Sequence, residues 1–281
     1  MVRILVDSGA DYGQEELRQR RLECVPIAIR FGEEAFLDGV ELSKEAFYKK
    51  LETQFPATSQ PTPLDFAEHF RSAVEAGDEL VAVLLSSSLS GTYQGACLAR
   101  EDAGGSGIYL IDSKSATTGI QVLVDYAVTL RDRGCSGREI AEALRELQPR
   151  VKVYASMDTL EYLYKGGRLS RTSAAIGTLS HLKPVIHLDE NGAVAVVNKS
   201  FGMKRSIDAL VARVESYRLD PAFPIYPIYS RDVFNLKTMV ARLREKGVDV
   251  DEANGRNLGP TIGAHIGPGC CGVAFVAAKG S

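Results

Sequence analysis

The apolar run Leu80-Val81-Ala82-Val83-Leu84-Leu85 passes directly into Ser86-Ser87-Ser88-Leu89-Ser90-Gly91-Thr92-Tyr93. A short apolar run bounded by turn-forming residues reads as a strand buried on both faces, the habit of a parallel sheet. Gly91 through Arg100 then reads as a helix, with Ser90 in the N-cap position. Such a junction gathers hydroxyls and free backbone N–H groups at a helix N-terminus, which favours a carboxylate or phosphate. The charged end of a ligand is expected here.

The surrounding pattern extends this unit. Strands are expected at Arg3 to Val6, 80–85 and Ile108 to Ile111, and two of them end in Asp-Ser, at Asp7-Ser8 and Asp112-Ser113. Helices are expected at Ser43 to Gln54 (capped by Ser43), Pro63 to Ala76, 91–103, Ser115 to Arg133 and Ser136 to Leu147. Strands separated by helices indicate a parallel sheet with crossover connections, whose ligands bind beyond the carboxyl ends of the strands. Pro149 marks a boundary, after which the pattern changes. Strands at Val151 to Ala155, Lys183 to Leu188 and Ala193 to Val197 include a hairpin turned at Glu190-Asn191-Gly192. Helices at Lys204 to Tyr217 and Val233 to Lys246 flank a strand at Pro224 to Tyr229, and apolar runs at Thr261–Ile266 and Gly272–Ala278 end the chain. The expectation is an α/β protein of two domains. An N-terminal parallel-sheet α/β domain (1–150) precedes a C-terminal α+β domain (151–281) with a mixed or antiparallel sheet.

Composition removes several function classes. The chain has 281 residues and a formal net charge of -3, which gives no electrostatic reason to expect nucleic acid or an anionic membrane as partner. No apolar run approaches the roughly 20 residues that span a bilayer. The first strand starts at Val2, which leaves no room for a signal peptide, so a cytoplasmic protein is expected. Five cysteines without a CxxC pair make a poor disulfide framework, and Cys270-Cys271 near His265 lack the further ligands a zinc site needs. Neither metal nor cofactor is expected.

Four segments are candidates for the site, each with a plain structural alternative. Ser90-Gly91-Thr92 and Thr58-Ser59-Gln60-Pro61 offer hydroxyls beside helix starts, where they could simply cap. In Gly263-Ala264-His265-Ile266-Gly267-Pro268-Gly269, small residues around a histidine could let a ligand approach the backbone, or the histidine could be structural. Gly166-Gly167-Arg168 is either a turned loop holding a cation or a helix C-terminus with a left-handed glycine. Signals for enzymes are weaker. Gly267, Gly269 and Gly272 fit GxGxxG, but an apolar strand-like run follows them rather than a helix. A Ser-His-Asp hydrolase or acyl transferase could use Ser90, His265 and Asp7 or Asp112, yet Ser88 stands where G-x-S-x-G needs its first glycine.

Together these segments resemble the DegV family of bacterial fatty-acid-binding proteins. The likeness runs through Val6-Asp7-Ser8, Thr58-Ser59-Gln60-Pro61, Ser87 to Tyr93, Ile111-Asp112-Ser113, Gly166-Gly167-Arg168 and His265 to Gly269. It implies a two-domain protein, without a catalytic centre of its own, that holds one long-chain fatty acid such as palmitate between its domains. It also implies, in some members, a separate kinase that phosphorylates the bound acid's carboxylate. By position, Thr58 and Ser90 are expected to hydrogen-bond the carboxylate, with Ser59 and Gly91 beside them and His265 completing the polar end. Arg168 is expected at the pocket mouth, binding the head group or facing a partner. Members often read Lys-x-Arg-Gly where this chain has Lys199-Ser200-Phe201-Gly202, so Phe201 replaces a cation that could dock the kinase. A monomer is the expected state.

Overall fold

The computed structural model describes residues 1–169 and 182–280. Its first layer is a four-stranded sheet in the order Leu22–Val25, Val2–Asp7, Glu79–Leu84, Ile108–Asp112, with every pair parallel. Alternation along these strands divides the core between two faces. Leu5, Leu80, Ala82 and Leu84 meet Phe66 and Phe70 of helix Pro63–Glu75 on one face. Ile4, Val6, Val81 and Val83 meet helices Thr118–Asp132 and Gly137–Leu147 on the other, through Ile120, Leu123, Ile140 and Leu144. Helices on both faces are what a continuous apolar strand such as 80–85 requires.

The second layer is a six-stranded sheet in the order Val194–Phe201, Leu182–Leu188, Val151–Ser156, Cys271–Val276, Tyr226–Tyr229, Arg256–Asn257. All neighbours are antiparallel except the last pair. Helices Met203–Glu215 and Phe234–Glu245 cover its outer face. Val153, Ala155, Ile186, Ile228 and Ala274 on its inner face share one apolar cluster with the inner helices of the first half. The expected mixed α/β architecture is therefore present. Among the described residues no helix is long and apolar enough to cross a membrane.

Three local expectations differ from the structure. The helix after the serine run is Thr92–Asp102, flanked by Gly91 rather than Ser90. Leu89 N and Ser90 N both bond back to Ser86 O, holding the loop in a turn and delaying the helix by one residue. The helix expected from Ser115 starts at Thr118, because Ser113 and Ser115 build the preceding turn and Thr117 takes a positive φ of 47°. Thr58-Ser59, read from the sequence as lying at a helix start, belongs to a short strand, Ala57–Ser59. It belongs to a three-stranded antiparallel sheet with Ala28–Phe31 and Glu34–Leu37 that the sequence reading missed.

The apolar run at 261–266 is the helix Pro260–Ile266, which crosses from the second half to the first. Its Ala264 packs in a cluster with Ile29, Phe31, Phe47 and Tyr48. Gly263 permits this approach, since a Cβ there would lie 2.7 Å from the Phe47 ring. A polar tie lies elsewhere between the halves. Asp125 accepts from Tyr12 Oη at 3.0 Å, from Arg20 Nη1 at 2.5 Å and from the buried Tyr226 hydroxyl of the second sheet. Asp125→Ala strands three donors at once and is expected to lower unfolding free energy in urea by about 2–4 kcal/mol. A loss below about 0.5 kcal/mol would show that the tie contributes little.

Candidate functional site

Between the two sheets lies a cavity of about 810 Å³, counting its open mouth. Its walls are mostly aliphatic. Ile27, Leu85 and Ala116 come from the first half, and Val153, Ala155, Ile186, Leu188, Val194 and Ile228 from the second sheet. Ile262, His265 and Ile266 project into it from the crossing helix, and Cys270 follows just before the last strand, Cys271–Val276.

Polar groups in the wall gather at one place. Thr58, in the strand Ala57–Ser59, is 3.0 Å from Nε2 of His265 through its Oγ1. His265 Nδ1 is buried without a hydrogen-bond partner. Burial, aided by the nearby Arg168 charge, pushes the His265 pKa down to about 4, so the ring is neutral at pH 7. Its position depends on Gly166, where a Cβ would lie 2.2 Å from Nδ1. Gly267 likewise makes room for the Tyr162 ring, which a Cβ would meet at 2.3 Å. The glycines beside His265, expected to admit a ligand to the backbone, instead admit the aromatic rings of Phe47 and Tyr162.

Arg168 follows the short helix Glu161–Lys165 and Gly167, whose φ is 73°. Both readings of Gly166-Gly167-Arg168 therefore hold, because the left-handed glycine turns the chain and the turn delivers a cation to the cavity wall. The guanidinium donates from Nε to Leu89 O at 2.9 Å and from Nη1 to Gly166 O at 2.6 Å. Burial lowers its pKa, and it forms no ion pair among the described residues. Among the described residues, a partly desolvated cation next to a neutral histidine leaves the site with an uncompensated positive charge.

The serine run divides its work. Ser90 lines the cavity and bonds Thr92 Oγ1 at 2.8 Å. Ser86 Oγ donates to Gly192 O at 2.9 Å and Ser88 Oγ to Asn191 O at 2.7 Å, so these two clasp the tip of the Leu182–Leu188/Val194–Phe201 hairpin. Ser87 donates to Asp112 at 2.5 Å. Ser59 is exposed, because alternation along its strand turns it away from the side that Thr58 faces. Gly91 does not line the cavity either, since the side chain of Gln60 packs against it. Gln60 does line the cavity, and the sequence reading passed over it although it sits inside the Thr58–Pro61 motif.

A hydrolytic triad is not assembled. Ser90 Oγ faces Thr92 rather than His265, and both candidate acids are occupied elsewhere. Asp7 accepts from Gly9 N and Leu85 N, and burial outweighs these bonds to raise its pKa to about 6. Burial also pushes Asp112 up, but bonds from Lys114 and Ser87 outweigh it and hold the group below the usual range.

The DegV family model, described as an uncharacterised protein family, matches residues 1–278. The chain belongs to the DegV family. A DegV domain-containing protein of Caldanaerobacter subterraneus is 32% identical over 275 residues, covering 98% of each chain. A fatty-acid-binding DegV protein of Thermus thermophilus superposes with a TM-score of 0.88 at 29% identity over 99% of each chain. A stearic-acid-binding protein of Eubacterium ventriosum does so with a TM-score of 0.85 at 25% identity, over 99% of this chain and 98% of that one.

In this DegV chain the buried histidine leaves a signature in the pH dependence of stability. Folded His265 takes up its proton near pH 4, against about 6.5 when unfolded. Its contribution is complete above about pH 6.5 and is lost as pH falls toward 4, by about 3 kcal/mol. Asp7 and Asp38, both raised chiefly by burial to about 6, act oppositely and favour folding as pH falls. Urea unfolding of the wild type and of His265→Gln isolates the histidine. The wild type should lose about 3 kcal/mol relative to the variant between pH 7 and pH 4. A difference that stays constant with pH would mean that His265 is solvated.

Proposed function

We propose that this protein holds one long-chain fatty acid in the cavity between its halves, taken as domains of residues 1–150 and 151–281, and acts as a carrier rather than an enzyme. One observation carries the reading. Among the described residues, the aliphatic cavity gathers Thr58, Ser90, His265 and Arg168 in one polar patch, whose cation has no acidic partner there. Of the other wall hydroxyls, Thr261 Oγ1 is spent on Asp38, and Thr117 Oγ1 is buried without a hydrogen-bond partner among the described residues. A monocarboxylate supplies the missing charge, and hydroxyls with a guanidinium give it charge-assisted donors. An aliphatic tail fills the rest. Burying 16 carbons at roughly 0.8 kcal/mol per methylene yields a gross gain of about 12 kcal/mol, part of which offsets ordering of chain and protein. The binding recorded for the Thermus and Eubacterium proteins points the same way.

The tail then sets affinity and the polar patch sets orientation. A carboxylate lying beside Gln60 and Ser90 is near the surface, where a separate enzyme such as a fatty acid kinase can reach it. Phe201, 69% exposed, stands where a family cation is expected, so any such enzyme meets an apolar contact at that point.

Native mass spectrometry of the freshly purified protein, with lipid extraction of the same sample, tests the reading. One fatty acid per chain is expected, and Thr58→Ala with Ser90→Ala should weaken palmitate binding about 10- to 100-fold. A protein that is empty and refuses added palmitate, or a double variant with unchanged affinity, would contradict it. So would turnover of acyl esters that disappears in His265→Ala.

A further inference from the structure

The patch contains one more group with hydrogen-bonding capacity to spare. Gln60 lies two residues beyond Thr58 and lines the cavity at its exposed edge. Its carboxamide makes no hydrogen bond to any described residue, although neighbouring polar side chains such as Thr58, Ser90 and Arg168 all do. It lies against Gly91, where a Cβ would lie 2.0 Å from Oε1 and 2.7 Å from Nε2. Gly91 has φ −74° and ψ 5°, a conformation open to other residues, so its backbone does not demand glycine. A Cβ there would instead displace the carboxamide end of the Gln60 side chain, the nearest group it would meet among the described residues. The amide is thus seated beside Ser90, in contact with the residue that follows it, with its donors unspent.

We infer that Gln60 is a head-group residue that donates an amide N–H to the outward oxygen of the bound carboxylate, and that Gly91 exists as its seat. This rests on the fatty-acid reading above and refines it. Thr58, His265 and Arg168 hold the inner side of the carboxylate, while Gln60 closes the side facing solvent. A neutral amide suits that place. It donates without adding a second cation, and it favours a carboxylate over an uncharged alcohol because hydrogen bonds to charged acceptors are the stronger. Gly91, read from sequence as a direct ligand, then acts through Gln60 as a positioning residue.

The test compares palmitate with hexadecanol, which shares the tail and lacks the charge, by equilibrium binding at pH 7.5. Gln60→Ala is expected to weaken palmitate about tenfold and hexadecanol by less than about twofold. Gln60→Glu keeps the shape and opposes the charge, so it should weaken palmitate further than Gln60→Ala while still sparing hexadecanol. Gly91→Ala should reproduce the loss of Gln60→Ala, and the double variant should be no weaker than the worse single one, since both remove the same contact. Losses equal for palmitate and hexadecanol, or unchanged palmitate binding in Gln60→Glu, would overturn the assignment while leaving the carrier reading intact. Failure of the wild-type protein to bind either lipid would overturn both.

Discussion

The site depends on how the helix Pro260–Ile266 is held. Its first turn is anchored to the opposite half of the molecule by two buried carboxylates. Asp38 Oδ2 accepts from Thr261 N at 3.0 Å and from Thr261 Oγ1 at 2.5 Å, and Asp11 Oδ1 accepts from Gly259 N at 2.7 Å. Ser8 adds a hydroxyl contact to Thr261 at 3.0 Å. With that end fixed and Ala264 packed among Phe47 and Tyr48, the next turn brings His265 to Thr58, 207 positions away in sequence. The anchoring has a cost. Burial raises Asp11 and Asp38, and the nearby Asp11 carboxylate further disfavours Asp38 as an anion. The molecule tolerates this unfavourable pair where the two halves must meet in one register.

The charge balance of the cavity follows from the same geometry. Because His265 is neutral, Arg168 carries the only formal charge in the polar part of the wall among the described residues. A guanidinium half-removed from water without a counter-ion is unfavourable in the empty protein and favourable with an anion bound. The aliphatic remainder of the cavity determines which anion. A small carboxylate leaves most of that wall unfilled, whereas an acyl chain covers it. In the proposed function, charge and shape together select a long-chain acid, and neither does so alone.

Much of this was legible in the sequence, for identifiable reasons. The fully apolar 80–85 run required a doubly covered parallel strand, and Asn191-Gly192 required a hairpin. The small sheet of Ala28–Phe31, Glu34–Leu37 and Ala57–Ser59 escaped because its strands are three or four residues long and carry Arg30 and Glu34, which blur the alternation. At the site, Thr58, Ser90, Arg168 and His265 were recognisable by their motifs, but sequence could not say which hydroxyls of a serine-rich run face inward. Ser86 and Ser88 went to the hairpin and Ser87 to Asp112, choices set by partners far along the chain. Ser59 and Gly91 were misplaced by one residue each, which strand alternation and a helix boundary suffice to explain. The aliphatic wall was invisible in principle, since residues lining a cavity and residues filling a core share one composition.

The central claim is that a carboxylate sits inside this patch, ionised and held by fixed donors. Carbon-13 NMR of palmitate labelled at its carboxyl carbon reads that directly. One bound resonance is expected, distinct from free palmitate, with the carboxyl remaining ionised well below the ordinary carboxylate range as pH is lowered. A bound resonance that titrates like a carboxyl in water would place the head group outside the patch and contradict the account.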